Sequence, residues 1–94
     1  KIVVLNGTLT EGLAGRFEEY LIGSGFSVVG TGNADREYTG ITIIDHTGKP
    51  STVQFLSKML NVPPTGIFNQ DSQESNCDIT IIIGINWENS VSLP

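Results

Sequence analysis

Ile2-Val3-Val4-Leu5-Asn6-Gly7 decides the fold. Consecutive apolar residues rich in valine and isoleucine, closed by an Asn-Gly turn pair, read as a short buried strand. Beyond the turn, Leu13, Phe17, Tyr20 and Leu21 recur at helical spacing on one face, while Arg16, Glu18 and Glu19 point elsewhere. The helix start is signalled twice. Thr8 with Glu11 three residues on has the spacing of a capping box, and Thr10 is a simple cap. Gly25 is placed to turn left-handed past the last helical turn, which lets Phe26 fold back onto Leu21. Phe26 to Gly30 then reads as a half-buried strand with Phe26 and Val28 on one side.

The same order recurs downstream. Ile41 to Ile44 has strand character, and Lys49-Pro50 opens a second helix with proline at a tolerated first position. Val53, Leu56 and Leu60 would face the core, Phe55 and Met59 widen that stripe, and Asn61 followed by Val62-Pro63-Pro64 ends the helix. Asp78 to Gly84 reads as a last strand, with Ile79, Ile81 and Ile83 on one face and Thr80 and Ile82 on the other. Gly66-Ile67-Phe68 follows the second helix as Gly25-Phe26 follows the first. It is a candidate fifth strand, which would make the chain two degenerate strand-helix-strand units. Residues 69–76 are polar, have little to bury and read as mobile.

The expected fold class is α+β, a ferredoxin-like β-α-β-β-α-β sandwich with two helices packed on one face of a four- or five-stranded sheet. One domain spans residues 1–84, and residues 85–94 are a tail. Helices on one face leave some of Ile2 or Val3, Val29, Ile44 and Ile82 on the other. Such an apolar patch either meets a partner, a second copy of the chain included, or is covered by the C-terminal segment with Trp87.

Composition narrows the partners. The chain has 94 residues, enough for one hydrophobic core, and ten acidic against five basic residues give a net charge of −5. The cations Lys1, Arg16, Arg36, Lys49 and Lys58 are scattered, so the clustered positive footprint that nucleic acid requires is missing, and adhesion to anionic membranes is equally disfavoured. The apolar run near Ile81 to Ile85 is far short of the roughly 20 residues that span a bilayer. Lys1 leads straight into a strand without a secretory leader pattern, and the expectation is a piece of a longer protein with its targeting segment upstream. A single cysteine, Cys77, offers neither an intramolecular disulfide nor a zinc cluster, so no metal or cofactor is expected.

Few residues carry chemistry. Gly7 to Gly12 has the G-x-x-x-x-G spacing of a phosphate loop between strand and helix, but Leu13 and Ala14 stand where lysine and a hydroxyl residue belong. A tight turn with close helix packing is the plainer reading, and a small phosphate- or nucleotide-binding domain the alternative. Asn6 resembles the loop asparagine of small acyl phosphate hydrolases, without their neighbouring arginine. Asp45-His46 would point opposite ways on a strand, so the pair makes no general base, and Thr47 has nothing to complete a triad with. Cys77 beside Asp78 has no basic neighbour to activate it. Asn6-Gly7-Thr8 is formally a glycosylation sequon, with chance as its default explanation.

Taken in order, Val4-Leu5-Asn6-Gly7-Thr8, Gly12-Leu13-Ala14, Leu21 with Gly25-Phe26-x-Val28, and Asn33-Ala34 resemble the C-terminal domain of LytR-CpsA-Psr cell-envelope proteins. Thr42-x-Ile44 with Gly48, Leu60-Asn61, and Asp78-x-Thr80-Ile81-Ile82-Ile83-Gly84 look like its later strands and second helix, although Asn86 stands where the family often has aspartate. In that family, attachment of anionic glycopolymers to peptidoglycan belongs to a separate catalytic domain. The resemblance therefore implies a non-catalytic accessory module, extracytoplasmic, on a membrane-anchored bacterial parent. Its expected partner is an envelope polymer or an envelope protein. Candidate binding residues are Asn6, Gly7, Thr8, Gly12, Asn33 and the aromatics Tyr38 and Trp87, the last two as exposed stacking platforms for sugar rings.

Overall fold

The first strand forms where the apolar run places it. In the computed structural model, which describes residues 1–46, 48, 50–70 and 77–89, β1 covers Ile2–Asn6, α1 Leu13–Gly23, β2 Val28–Asn33 and β3 Thr42–Asp45. Then come α2 at Pro50–Met59, a 3-10 turn at Pro64–Gly66, β4 at Ile67–Asn69, β5 at Ile79–Ile83 and a second 3-10 turn at Trp87–Asn89. The polar stretch expected to be mobile lies largely outside the described residues; its first two members are ordered, Asn69 in β4 and Gln70 hydrogen-bonded to the Asp45 carbonyl.

Two helices lie on a five-stranded mixed sheet of order β2-β1-β5-β3-β4, an α+β sandwich of the ferredoxin-like kind. Its strand order has a character of its own. β1 and β2 are immediate parallel neighbours, as are β3 and β4, while β5 runs parallel to β1 and antiparallel to β3. Each helix thus bridges two adjacent strands. The fifth strand anticipated at Ile67-Phe68 is present as β4.

Leu13, Phe17 and Leu21 of α1 and Val53, Leu56 and the adjoining Leu60 of α2 share one core cluster with Ile2, Val4, Ile43, Ile79 and Ile81. These are the helical stripes that periodicity picked out, and full burial of a side chain such as Phe17 is worth roughly 2–3 kcal/mol. Both helices end alike. The Phe26 N–H donates to Leu21 O and the Gly25 N–H to Ile22 O, each at 3.0 Å, with Gly25 at φ 97°. After α2, the Val62 N–H donates to Ser57 O at 2.8 Å and the Asn61 N–H to Lys58 O at 3.4 Å, with Asn61 at φ 53°. Two Schellman motifs therefore stop the helices, one on glycine and one on asparagine.

Three expectations are corrected. Neither Thr8 nor Thr10 caps α1: Gly12, at φ 78°, is its N-cap, without a side-chain bond. The second strand lies at Val28–Asn33 rather than Phe26 to Gly30, because Phe26 is the last residue of the Schellman motif and its ring lies 5.6 Å from that of Phe55. The sheet face away from the helices is not covered by Trp87, whose ring packs edge-on against Phe17 at 5.6 Å in the helical layer. Ile82 is nonetheless only 4% exposed and Val3 and Ile44 are half-buried; Val29 is exposed, and Ile2 is buried on the helix side.

Ile82 lies close to Tyr38, which belongs to the connection from β2 to β3. That connection must pass the ends of β1 and β5, and backbone bonds fix its course. The Tyr38 N–H donates to Gly7 O at 2.9 Å, the Ile85 N–H to Tyr38 O and the Asn86 N–H to Thr39 O, both at 2.8 Å. So close a crossing requires glycine. A Cβ on Gly7 would lie 2.7 Å from Ile83 O and 2.9 Å from the Tyr38 ring, and one on Gly84 would overlap the Gly40 and Thr39 backbone.

Candidate functional site

The carboxyl ends of β1, β2 and β5 and the amino ends of β3 and β4 meet at one end of the sheet. Two hollows open there, one on each side of the Tyr38 segment. The first, about 460 Å³, is lined by Asn6, Thr8, Leu9, Thr10, Glu11, Gly12 and Asn33. Asn6 organises it. Its Oδ1 accepts from the Thr8 N–H at 2.9 Å and from the Thr8 hydroxyl at 2.6 Å, while its Nδ2 donates to Thr10 O at 2.7 Å. The Thr8 hydroxyl in turn accepts the Thr10 N–H at 3.1 Å. A buried amide that both donates and accepts thus folds the loop back on itself. The same bonds engage the hydroxyl of Thr8 and the backbone of Thr10, the two threonines that the sequence offered as helix caps. Leu9, 84% exposed, stands at the loop tip.

The second hollow, about 380 Å³, lies between the Arg36–Thr42 segment and the chain from Asn61 to Phe68. Tyr38 is half-buried there rather than an open platform. One edge of its ring rests on Gly7, and the Arg36 guanidinium lies over the ring at 4.8 Å from the centroid. The Tyr38 side chain, by hydrogen bonding and charge, and more weakly Asp35 by charge, raise the Arg36 pKa above its ordinary value. Arg36 is exposed and makes no ion pair among the described residues.

Of the sequence candidates, Asn6, Thr8, Gly12 and Asn33 come together in the first hollow, Gly7 lies under Tyr38, and Tyr38 lines the second hollow. Trp87 stands apart, half-buried against Phe17 with Arg16 5.9 Å from its ring centre. Arg36 and Phe68 were missed. An arginine two residues from a loop tyrosine carries no recognisable pattern, and the strand holding Phe68 meets that loop only through the tertiary fold.

Elsewhere the chemistry is structural. His46 Nδ1 lies 3.1 Å from the Gln70 carbonyl, to which it donates, and Nε2 lies 2.8 Å from the Thr80 hydroxyl. Thr80 is also 3.6 Å from the Cys77 sulfur. Asp45 is buried and accepts from the Gly48 N–H at 3.0 Å. Among the described residues there is no cluster of histidine, cysteine and acidic side chains that would hold a metal ion, and no helix long and apolar enough to cross a membrane.

Fold and hollows define a small α+β module with two concavities at one end of its sheet. A family model described as LytR cell envelope-related transcriptional attenuator matches residues 1–87, and the chain belongs to that family, the C-terminal domain of LytR-type cell-envelope proteins. It is a family of accessory domains and not a known catalytic one. No curated protein and no solved structure matches the chain.

Proposed function

We propose that the chain is a non-catalytic accessory module of an extracytoplasmic cell-envelope protein and binds envelope polymer, peptidoglycan or its attached glycopolymer, through the loop end of the sheet. One observation carries this reading: at the same end of the sheet a polar hollow around Asn6, Thr8, Thr10 and Asn33 accompanies a hollow whose lining mixes Arg36 and threonines with Tyr38, Ile41, Pro63 and Phe68, the blend of polar groups and apolar faces that a sugar chain offers in return. A rigid glycine-clamped floor lowers the ordering cost of binding. The phosphate-loop alternative has less support, since the hollow around Gly12 contains Glu11 and no cation.

The test is a pulldown of the purified domain on insoluble sacculi, with and without attached glycopolymer, beside a Leu9→Ala/Asn33→Ala variant. Both residues are exposed, so folding should survive. Saturable binding that weakens about tenfold in the variant is expected. Absence of binding to either preparation overturns the reading and leaves a partner protein or a second copy as the target.

A further inference from the structure

The two edges of the sheet are finished differently. β4, at one edge, is three residues long and follows Pro63, Pro64 and a 3-10 turn, the short and proline-flanked form that discourages further pairing. β2, at the other edge, has six residues with neither a charge nor a proline among them, and among the described residues it pairs with β1 alone. The Ala34 N–H donates to Asn6 O at 3.0 Å, so alternation along the strand turns the backbone of Gly32 toward β1 and the N–H and C=O groups of Thr31 and Asn33 outward. Both outward residues are exposed. Glycine at position 32 has no reason inside the chain. Its φ is not positive, it pairs regularly with Leu5, and a Cβ there would touch only Leu5 Cδ2 at 3.4 Å. Gly30, beside the irregular pairing near Val3, would place a Cβ in open space. Glycine weakens a strand, and where the fold itself does not demand it, it marks the close approach of another backbone. Opposite Val3 and Leu5, the two glycines leave this margin of the sheet bare on the face away from the helices.

We infer that the β2 edge docks an extended, basic segment of a partner protein. The segment adds a strand to the sheet, pairs with the outward backbone groups of Thr31 and Asn33, and lays an apolar side chain across Gly30 and Gly32. Charge selects this occupant. Glu11 lines the hollow that reaches Asn33, and Asp35 and Glu37 follow the strand, so carboxylates gather at its carboxyl end. The cation among them, Arg36, lies over Tyr38 and is already attracted by Asp35. A second copy of the chain would bring the same carboxylates, and a further net charge of −5, to the edge. A strand bearing lysine or arginine complements them instead. This surface is independent of the polymer reading and stands or falls without it.

Amide-resolved NMR titration of the domain with three short capped peptides tests the inference: one alternating lysine and valine, one with glutamate in place of lysine, and the lysine peptide with its amides N-methylated. The lysine peptide should shift the amides of Val28 to Asn33 and slow hydrogen exchange at Thr31 and Asn33, whose N–H groups gain partners. The glutamate peptide should bind about tenfold more weakly at low salt, and N-methylation should abolish binding, since the main-chain bonds are lost. Thr31→Pro removes an outward N–H while the β1 ladder keeps its own bonds, so it should lose the peptide and retain the native amide spectrum away from β2. Should that variant unfold, the N-methylated peptide decides the same question on the native chain. Glu11→Gln/Glu37→Gln, at exposed positions, should narrow the preference for lysine over glutamate about threefold. Shifts outside β2, binding that survives N-methylation, equal affinity for the lysine and glutamate peptides, or no binding of the lysine peptide overturns the inference. Shifts in β2 on raising the domain concentration alone overturn it in favour of a second copy.

Discussion

The two strand-helix-strand units, β1-α1-β2 and β3-α2-β4, are built on one plan and used differently. The strand order is symmetric about β5, with an inner strand of each unit beside it and an outer strand beyond. Each inner strand ends in a buried amide or acid that folds the next loop: Asn6 accepts from the Thr8 N–H, and Asp45 from the Gly48 N–H. Each helix ends in a Schellman motif. What differs is the surrounding chain. The β2–β3 connection is bonded to Gly7 and to the residues after β5, so the first unit's loop end becomes a floor with hollows on either side. At the second unit's loop end, His46 instead ties Gln70 to Thr80. One plan thus gives a binding end and a fastened end, because only one end lies under the crossing segment.

The largest effect that tests this comparison lies in the helices. Phe17→Ala should cost about 4 kcal/mol in urea denaturation and Leu56→Ala about 3 kcal/mol, since both side chains are fully buried but Phe17 is larger. Phe17 also supports Trp87, so Phe17→Ala and Trp87→Ala should be non-additive by about 1 kcal/mol in a double-mutant cycle. Strict additivity would show that the edge-on ring contact contributes nothing. Next comes the clamp. Gly84→Ala should cost about 3 kcal/mol, because its Cβ meets the Thr39 and Gly40 backbone rather than a side chain able to swing aside. Gly23→Ala, in open space on α1, should be neutral or slightly stabilising. Equal outcomes at Gly84 and Gly23 would mean that the crossing segment is not rigid.

Most of the framework was legible because it rests on local signals. Leu13, Phe17 and Leu21, and Val53, Leu56 and Leu60, were placed inward by periodicity alone and are buried. The family motifs agreed with that reading. The misplaced elements are those where side chains made an alternative bond or where pairing overrode propensity. Thr8 looks like a cap until Asn6 is seen to engage it. Gly30-Thr31-Gly32-Asn33 has little strand preference and extends only because β1 offers a parallel partner. The hollows follow from the same non-local pairing. Tyr38 reads as an exposed loop aromatic until the crossing segment lays it on Gly7, and Phe68 reaches that region only once β4 pairs with β3.

The smallest effect separates the two helix ends. At Gly25 the backbone is left-handed at φ 97° and glycine occupies it without steric cost. Alanine there gains a clash between Cβ and carbonyl, partly offset by a less flexible unfolded chain, for a net loss of about 1 kcal/mol. At Asn61, φ 53°, the native residue already bears part of the left-handed cost, although asparagine tolerates that region better than most. In backbone conformation alone, Asn61→Ala should therefore lose less, about 0.5 kcal/mol. Urea denaturation of both variants measures the difference directly. Equal losses would mean that the asparagine stop is as demanding as the glycine stop, and the second unit would then be as tightly specified at its helix end as the first.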